Sequence, residues 1–409
     1  MNRRKSRTLA QVAAAATVLI ALAACSSGQP STNPTSGAKG QPYVLGFTSD
    51  FSSNFGYLGK GLQSGLNAYW DALNASGGIN GHPVHMIALD DASQPDRGTA
   101  NVTQLITQDG AIGIAGVMYS AICSAATPIL TQYKVPEMCG VVSSDLVKPA
   151  DPWVYATTTD QASYAAPQVE MAQQLMKSAG KTDPKVAILY ATGSAAIEQW
   201  ATAVTSSAKG LGWNVVDTEK VPQTAVDMST QLTKIIAAKP DVLILGAGND
   251  AWVLAGQKQL TAAGDPFPIV SYDVPSWTTV QKLQSKNFYY VSALAFAPKT
   301  TTQPGLQKFF DDASADGIDP NGPYVIRGYL QAAIFKDALT RCGWPCSGEQ
   351  LQKALDKTKL DTHGLIDGDA TLTPTNHTPV VSLAAYQWLP GATAPKIAKG
   401  GLAAGIAVK

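Results

Sequence analysis

A serine at the end of an apolar run is the first residue whose position could support chemistry. In the stretch "GVMYSAIC", residues 116–123, Ser120 stands where a strand-like run gives way to a helical pattern. It could act as a nucleophile, as a helix cap or as a ligand contact. A sharp nucleophile turn needs small residues two positions before and after the serine, where this chain has Met118 and Ile122. The sequence therefore disfavours catalysis by Ser120, and no enzyme activity is expected from it.

A binding role is the stronger prediction for Ser120. Serine is a preferred N-cap, and helix N-termini carry partial positive charge and free N–H donors that attract anions. Ser143 and Ser144 follow the next strand-like run in the same way. We therefore expect Ser120 to cap a helix and to offer its hydroxyl to an anionic group of a ligand.

A second motif, "DVLILGAGNDA", favours a different chemistry. Gly246, Gly248 and Ala251 fit the pattern G-x-G-x-x-A between a strand and a helix, and Asp273 lies at the end of the next strand. This arrangement is typical of a dinucleotide-binding loop. The strand comes late in its series rather than first, which weakens the match. A nicotinamide-dependent oxidoreductase that uses this loop remains an alternative function.

Other side chains at predicted strand ends also suit a binding site. Asp273 could receive a ligand ammonium group or cap the helix that begins near "PSWTTV", and the sequence leaves both roles open. Phe55 and Tyr119 follow other strands. Aromatic walls with a few polar groups are typical of small-molecule pockets, so both rings are expected to line one.

The elements that must position these residues form two series. From Tyr43 onward, short apolar runs alternate with amphipathic helical patterns, and the alternation restarts after residue 160. Buried runs separated by helices indicate parallel sheets covered on both faces. The sequence thus predicts an α/β protein of two lobes, with "VVSLAAYQWL" as its last strand. Ligands of such sheets bind beyond the carboxyl ends of the strands, so the expected site is a cleft between the lobes.

The first residues differ in kind from the rest of the chain. Four basic residues between positions 3 and 7 precede an apolar stretch that ends in "LAAC" at Cys25. This is the pattern of a secretory signal, and it resembles the lipobox of bacterial lipoproteins, in which the cysteine is lipidated. Residues 26–42 are rich in Ser, Gly and Pro, so we expect a flexible tether.

Charge and cysteine usage restrict the partners. Four of the 30 basic residues and none of the 30 acidic ones lie in residues 1–24, so the remaining chain has a net charge of −4. It has no basic stripe, and no nucleic-acid partner is expected. Besides Cys25 the chain has four cysteines, and an even number in an exported chain favours disulfides. The motif "CGWPC" points to Cys342–Cys346, which leaves Cys123–Cys139. The histidines do not cluster with the cysteines, so no metal site is expected.

One long segment resembles a known family. The text "NASGGINGHPVHMIALDDASQPDRGTANVTQLITQDG", residues 74–110, is similar to the N-terminal signature of type I periplasmic solute-binding proteins of the leucine/isoleucine/valine-binding group. "GVMYSA", "YKVPEMCGVVSSD" and "VDMSTQLTKIIAAKPDVLILGAG" continue the likeness in order. The resemblance implies two Rossmann-like lobes that are joined by a three-crossover hinge and close on a solute. The division that it implies is a signal peptide at 1–24, a lipidated tether at 25–42, an N-terminal lobe at 43–160 plus 296–372, and a C-terminal lobe at 161–295 plus 373–409.

The resemblance also implies roles for individual residues. In amino-acid-binding members, groups after the third and fourth strands hold the ligand carboxylate, and an acidic residue of the second lobe holds the ammonium group. These positions fall on Ser120, on Val141 with Ser143, and on Asp273. The chain departs from the pattern after "DVLILG", where Gly248 and Asn249 replace aromatic residues. Asn249 is therefore expected to line a less aromatic wall, which suits a bulkier acid, an amide or another amino acid as well as a branched-chain one.

The implied function is that of a solute receptor. Such a receptor captures a small ligand without a cofactor and delivers it to the permease and ATPase of an ABC importer. The lipobox would hold it on the extracytoplasmic face of a bacterial membrane, where we expect a monomer. A receptor that serves a signalling partner remains a further alternative.

Overall fold

The computed structural model describes residues 37–53, 55–222, 225, 227–246, 250–272, 276–296 and 301–404. None of the helices in this part of the chain is long and apolar enough to cross a membrane. Cys25, Asn249 and Asp273, and with them the predicted signal and most of the tether, lie outside the described residues.

The chain is a regular alternation of strands and helices. The strands are β1 (Tyr43–Ser49), β2 (Val84–Asp90), β3 (Ile114–Val117), β4 (Glu137–Cys139), β5 (Val154–Ala156), β6 (Lys185–Thr192), β7 (Asn214–Pro222), β8 (Val242–Gly246), β9 (Ile269–Tyr272), β10 (Phe288–Ser292), β11 (Lys359–Asp361), β12 (Asp369–Thr371), β13 (Ser382–Gln387) and β14 (Lys396–Ala403). The helices are α1 (Gly56–Ala75), α2 (Pro95–Thr107), α3 (Ser120–Tyr133), α4 (Ser144–Val147), α5 (Ala165–Ser178), α6 (Ala195–Gly210), α7 (Ser229–Ala238), α8 (Asp250–Ala262), α9 (Trp277–Leu283), α10 (Pro304–Ala315), α11 (Val325–Cys342) and α12 (Gly348–Leu355).

Two large sheets define two lobes. The first has five parallel strands in the order β2-β1-β3-β4-β5, and the second has seven in the order β14-β13-β10-β9-β8-β6-β7. Within the second sheet the strands from β6 to β10 are parallel, whereas β13 and β14 are antiparallel additions. The prediction that "VVSLAAYQWL" is the last strand was wrong, because it forms β13 and β14 follows it.

The chain passes between the lobes three times. It leaves the first sheet after β5 and returns after β10, where α10 and α11 pack on α1 and α12 packs on α11. It crosses again between β12 and β13. This threading is the expected two-lobed α/β fold. The short β11–β12 hairpin lies just before the third passage.

Glycines allow α1 and α11 to touch backbone to backbone. A Cβ atom on Gly65 would lie 1.9 Å from the Val325 carbonyl oxygen, and one on Gly328 would lie 2.0 Å from the Leu62 carbonyl oxygen. No side chain fits at such distances. This contact holds the N-terminal end of α11 against α1. The candidate site uses residues from the N-terminal end of α11.

Both expected disulfides are present. Cys123–Cys139 joins α3 to the end of β4, and Cys342–Cys346 closes the loop after α11. Among the described residues, Cys123, Glu137 and Cys139 form a group close enough to hold a metal ion, but its two sulfurs are bonded to each other. Thiolate ligation is therefore not open to the oxidised protein.

Candidate functional site

The strand orders locate the site. In each lobe the first strand of the chain is flanked by the second strand on one side and by the third strand on the other. The orders are β2-β1-β3 in one sheet and β7-β6-β8 in the other. Such a reversal opens a crevice at the carboxyl ends of the strands, where ligands of open α/β sheets bind. The loops after β1 and β3 and the loops after β6 and β8 are therefore the primary candidates.

Ser120 lies at the predicted helix end but does not cap it. Tyr119 is the N-cap residue of α3, and its carbonyl oxygen accepts the N–H groups of Ile122 at 2.9 Å and Cys123 at 3.1 Å. Ser120 is the first helical residue and is 8% exposed. The prediction that Ser120 caps the helix was wrong by one position, because the helix begins at Ser120 itself. By helix geometry, the backbone amides of Ser120 and Ala121 still have no acceptor within the helix.

Phe55 and Tyr119 come together as predicted for an aromatic wall. Their rings meet edge to face with centroids 6.3 Å apart. Burial raises the pKa of Tyr119 to about 12, with smaller contributions from nearby groups that include Asp50 and Asp91. The phenol therefore stays neutral at physiological pH and can donate a hydrogen bond.

A carboxylate cluster beside this wall was not predicted. Asp50 follows β1 and accepts the N–H groups of Ser52 and Ser53 at 3.1 and 2.8 Å, and the Ser93 hydroxyl at 2.5 Å. Burial opposes ionisation, but these hydrogen bonds hold the pKa of Asp50 below its ordinary value. Asp91 follows β2 and is fully buried. The signal for both was present in the sequence as acids directly after strands.

Asp91 should make stability depend on pH. Burial raises its pKa to about 6, above the value of about 4 in an unfolded chain. A carboxyl group whose pKa is raised by folding stabilises the fold fully at pH values below its pKa in the unfolded chain. This stabilisation is lost as the pH rises through its pKa in the folded protein. We expect the free energy of unfolding, relative to Asp91→Asn, to fall by about 2 kcal/mol between about pH 4 and pH 7. Urea unfolding at both pH values measures this, and a constant difference would contradict it.

The loop after β4 holds two more predicted residues. Val141 is half-buried, and Ser143 is the N-cap residue of α4. The hydrogen bond from the Ser143 side chain to Asp145 is the largest cause of the lowered pKa of that carboxyl group. A ligand that uses the Ser143 hydroxyl must therefore share it with Asp145.

A buried arginine reaches the same loop. Arg327 on α11 is 3% exposed and donates to the Gly140 carbonyl oxygen at 2.7 Å and to the Thr158 hydroxyl at 3.0 Å. Its guanidinium lies 4.7 Å from the ring centroid of Tyr324. Sequence reasoning missed this residue, although a lone arginine within the apolar text "YVIRGYLQAAIF" is an informative signal. A guanidinium is well suited to binding a carboxylate.

A small pocket extends from this end of α11 toward the second lobe. Its cavity volume is about 20 Å³, and its walls come from α9, β10 and the start of α11. Among the lining residues are Ser276, Trp277, Tyr290, Ser292 and Tyr324. Aromatic rings with a few hydroxyl groups match the usual composition of small-molecule sites.

The glycine that ends β8 has a packing role. A Cβ atom on Gly246 would lie 1.9 Å from Cζ3 of Trp200, whose ring is fully buried. The Trp200 Nε1 atom donates to Gln168 at 2.6 Å, and Gln168 bonds the carbonyl oxygens of Leu245 and Val270. The Trp200 ring therefore occupies the space beside Gly246, and this glycine has a packing role that does not depend on a dinucleotide.

This packing makes Gly246→Ala destabilising. The added methyl group forces the Trp200 ring to move within a close-packed core, and we expect a loss of about 2 kcal/mol. Chemical denaturation measures it, with Gly400→Ala on β14 as a control because a Cβ atom there would meet its nearest atom only at 4.0 Å. Equal stability of the two variants would show that Trp200 does not require the glycine.

A family model for periplasmic binding proteins matches residues 42–393. The chain belongs to the periplasmic binding protein family. This periplasmic binding protein is 25% identical over 311 residues to the Leu/Ile/Val-binding protein homolog 7 of Brucella abortus (strain 2308), covering 73% of this chain and 76% of the relative. The expected family resemblance is confirmed.

Solved structures share the fold of this periplasmic binding protein. One is a solute-binding protein of an ABC transporter from R. palustris in complex with 4-hydroxybenzoate, with a TM-score of 0.75 and 17% identity over 90% of this chain and 98% of that one. Another is a branched-chain amino acid transporter substrate-binding protein from Streptococcus pneumoniae in complex with isoleucine, with a TM-score of 0.70 and 18% identity over 88% of this chain and 100% of that one. The predicted two-lobed α/β fold is confirmed.

Proposed function

We propose that this protein is an extracytoplasmic receptor that captures a small carboxylate-bearing solute between its lobes and delivers it to an ABC importer. One observation carries the proposal: the N-terminus of α3, with Ser120, and the buried guanidinium of Arg327 both lie at the carboxyl ends of the strands of the first sheet. A helix N-terminus and an arginine both favour a carboxylate. Binding, rather than making or breaking bonds, is then the protein's activity.

The ligands of structurally similar proteins support this class of solute. Benzoate, 4-hydroxybenzoate and isoleucine are bound in three of them, and each carries a carboxylate. The aromatic wall of Phe55 and Tyr119 suits the rest of such a molecule. Ser120, Val141, Ser143 and Arg327 would contact the carboxylate end, and Asn249 and Asp273 would complete the second-lobe wall.

A screen of matched acids and amides tests the ligand class. We expect benzoate, 4-hydroxybenzoate or isoleucine to raise the melting temperature, and benzamide and isoleucinamide not to do so, because only the acids carry the charge that the site attracts. NAD and NADP belong in the same screen. Stabilisation by dinucleotides alone would favour an oxidoreductase. If the amides stabilised the protein as strongly as the acids, the site would not require a carboxylate on its ligand.

Membrane attachment and delivery need their own experiment. We propose that Cys25 is lipidated and that the permease and ATPase of an importer are the partners. Replacement of Cys25 by serine should release the protein from the membrane fraction of expressing cells and reduce uptake of the solute. Unchanged uptake in cells that lack the importer would instead favour a receptor that serves a signalling partner.

A further inference from the structure

One side chain of the second lobe makes paired hydrogen bonds with the first. Gln199 lies on α6, and its Oε1 atom accepts the backbone N–H of Ser144 at 2.9 Å. Its Nε2 atom donates to Oδ1 of Asp145 at 3.2 Å. The two ends of one amide group thus meet a donor and an acceptor on α4, which directly follows the candidate binding residue Ser143.

The residues that Gln199 contacts are tied to the first passage between the lobes. The Ser144 hydroxyl donates to Oδ1 of Asp160 at 2.5 Å, and Lys148 Nζ lies 2.5 Å from Oδ2 of the same carboxylate. Asp160 is fully buried and directly precedes the turn that leads into α5. The helix α4 is therefore hydrogen-bonded to the residue at which the chain first passes from one lobe to the other.

The same residues bear on the candidate site. Ser143 is the N-cap residue of α4 and directly precedes Ser144, and Asp145 is the residue that Gln199 contacts from the other lobe. Separation of the lobes would remove the Gln199 amide from Asp145 and from the Ser144 N–H. The orientation of Ser143 would then be less restricted.

We propose that Gln199 is a positioning residue that holds the two lobes together at α4 and thereby fixes the loop that carries Ser143. Its effect on lobe closure does not depend on the identity of the solute, and only its effect on affinity rests on the proposed function. Since two hydrogen bonds are lost when the lobes part, removal of the amide should shift the equilibrium between closed and open lobes about tenfold toward the open form.

The chemistry of the amide supplies a specific test. In Gln199→Glu, one carboxylate oxygen still accepts the Ser144 N–H, but the other oxygen faces Asp145 and repels it. In the double variant Gln199→Glu with Asp145→Asn, an amide donor again faces an acceptor with the roles exchanged. Gln174→Ala is the matched control, because Gln174 is an exposed glutamine on the neighbouring helix α5.

Two measurements on the ligand-free protein decide the matter. Small-angle X-ray scattering reports the radius of gyration, and hydrogen exchange followed by mass spectrometry reports protection of the segment 141–148. We expect Gln199→Glu to raise the radius of gyration and to speed exchange in this segment about tenfold, the double variant to restore both, and Gln174→Ala to change neither. Circular dichroism confirms that each variant is folded.

Three results would overturn the proposal. They are equal scattering and exchange in all variants, a failure of the double variant to recover, and an equal effect of Gln174→Ala. None of these measurements uses a ligand. A wrong assignment of the solute would therefore leave the test of Gln199 unaffected.

Discussion

Replacing Gly65 by alanine is expected to destabilise the protein by more than about 3 kcal/mol, because the new methyl group has no space. A Cβ atom there would lie 1.9 Å from the carbonyl oxygen and 2.8 Å from the carbonyl carbon of Val325, and 2.8 Å from the backbone nitrogen of Tyr329. These are backbone atoms of α11, so no side chain can turn aside. The whole helix must move away from α1, and urea unfolding should show a lower midpoint.

The matched control is Gly210→Ala. Gly210 is the last residue of α6, and a Cβ atom there has no atom within 4 Å. Since alanine favours a helix over glycine, this variant should be as stable as the wild type or slightly more stable. A Gly65→Ala protein that matched Gly210→Ala in stability would contradict the close packing of α1 on α11.

Replacing Ser120 by alanine is expected to weaken binding of the solute by about 10- to 100-fold. A hydrogen bond to a charged group contributes about 1.5–3 kcal/mol, which corresponds to this range. Stability of the ligand-free protein should change little, because Ser120 is the first residue of α3 and its hydroxyl does not cap the helix. Isothermal titration with the acid that gives the largest thermal shift measures the loss.

Ser124→Ala serves as the control for Ser120→Ala. Ser124 lies one turn further along α3 with its side chain exposed, so its removal should leave both affinity and melting temperature unchanged. If Ser120→Ala bound the solute as tightly as Ser124→Ala, Ser120 would not be a ligand contact. A large loss of stability in Ser120→Ala would instead assign the residue a structural role.

Most of the fold was predictable because the central strands are continuous apolar runs. β8, with the sequence "VLILG", is buried along its whole length and could be recognised without its neighbours. β14, with the sequence "KIAKGGLA", was not predicted because it is mostly exposed and contains two glycines. Its place depends on pairing with β13, which is a tertiary contact that local pattern does not report.

The candidate site was predictable only in part, for a similar reason. Phe55, Tyr119 and Ser120 follow strands of one sheet, and parallel topology alone brings their loops to the same edge. Arg327 reaches that edge from α11, which comes about 190 residues after β4 in the chain and packs through glycines on α1. No spacing in the sequence indicates such a contact. The sequence also did not indicate that Gly246 packs against Trp200, because that contact joins residues 46 positions apart in the chain.

The central claim is that the cleft binds a small carboxylate-bearing solute. The most direct measurement is isothermal titration of protein that has been unfolded and refolded to remove any solute carried through purification, with benzoate, 4-hydroxybenzoate and isoleucine as titrants. We expect at least one acid to bind saturably with one molecule per chain and with a negative heat-capacity change, as burial of apolar surface requires. Absence of binding by every acid, together with saturable binding of NAD or NADP, would contradict the claim.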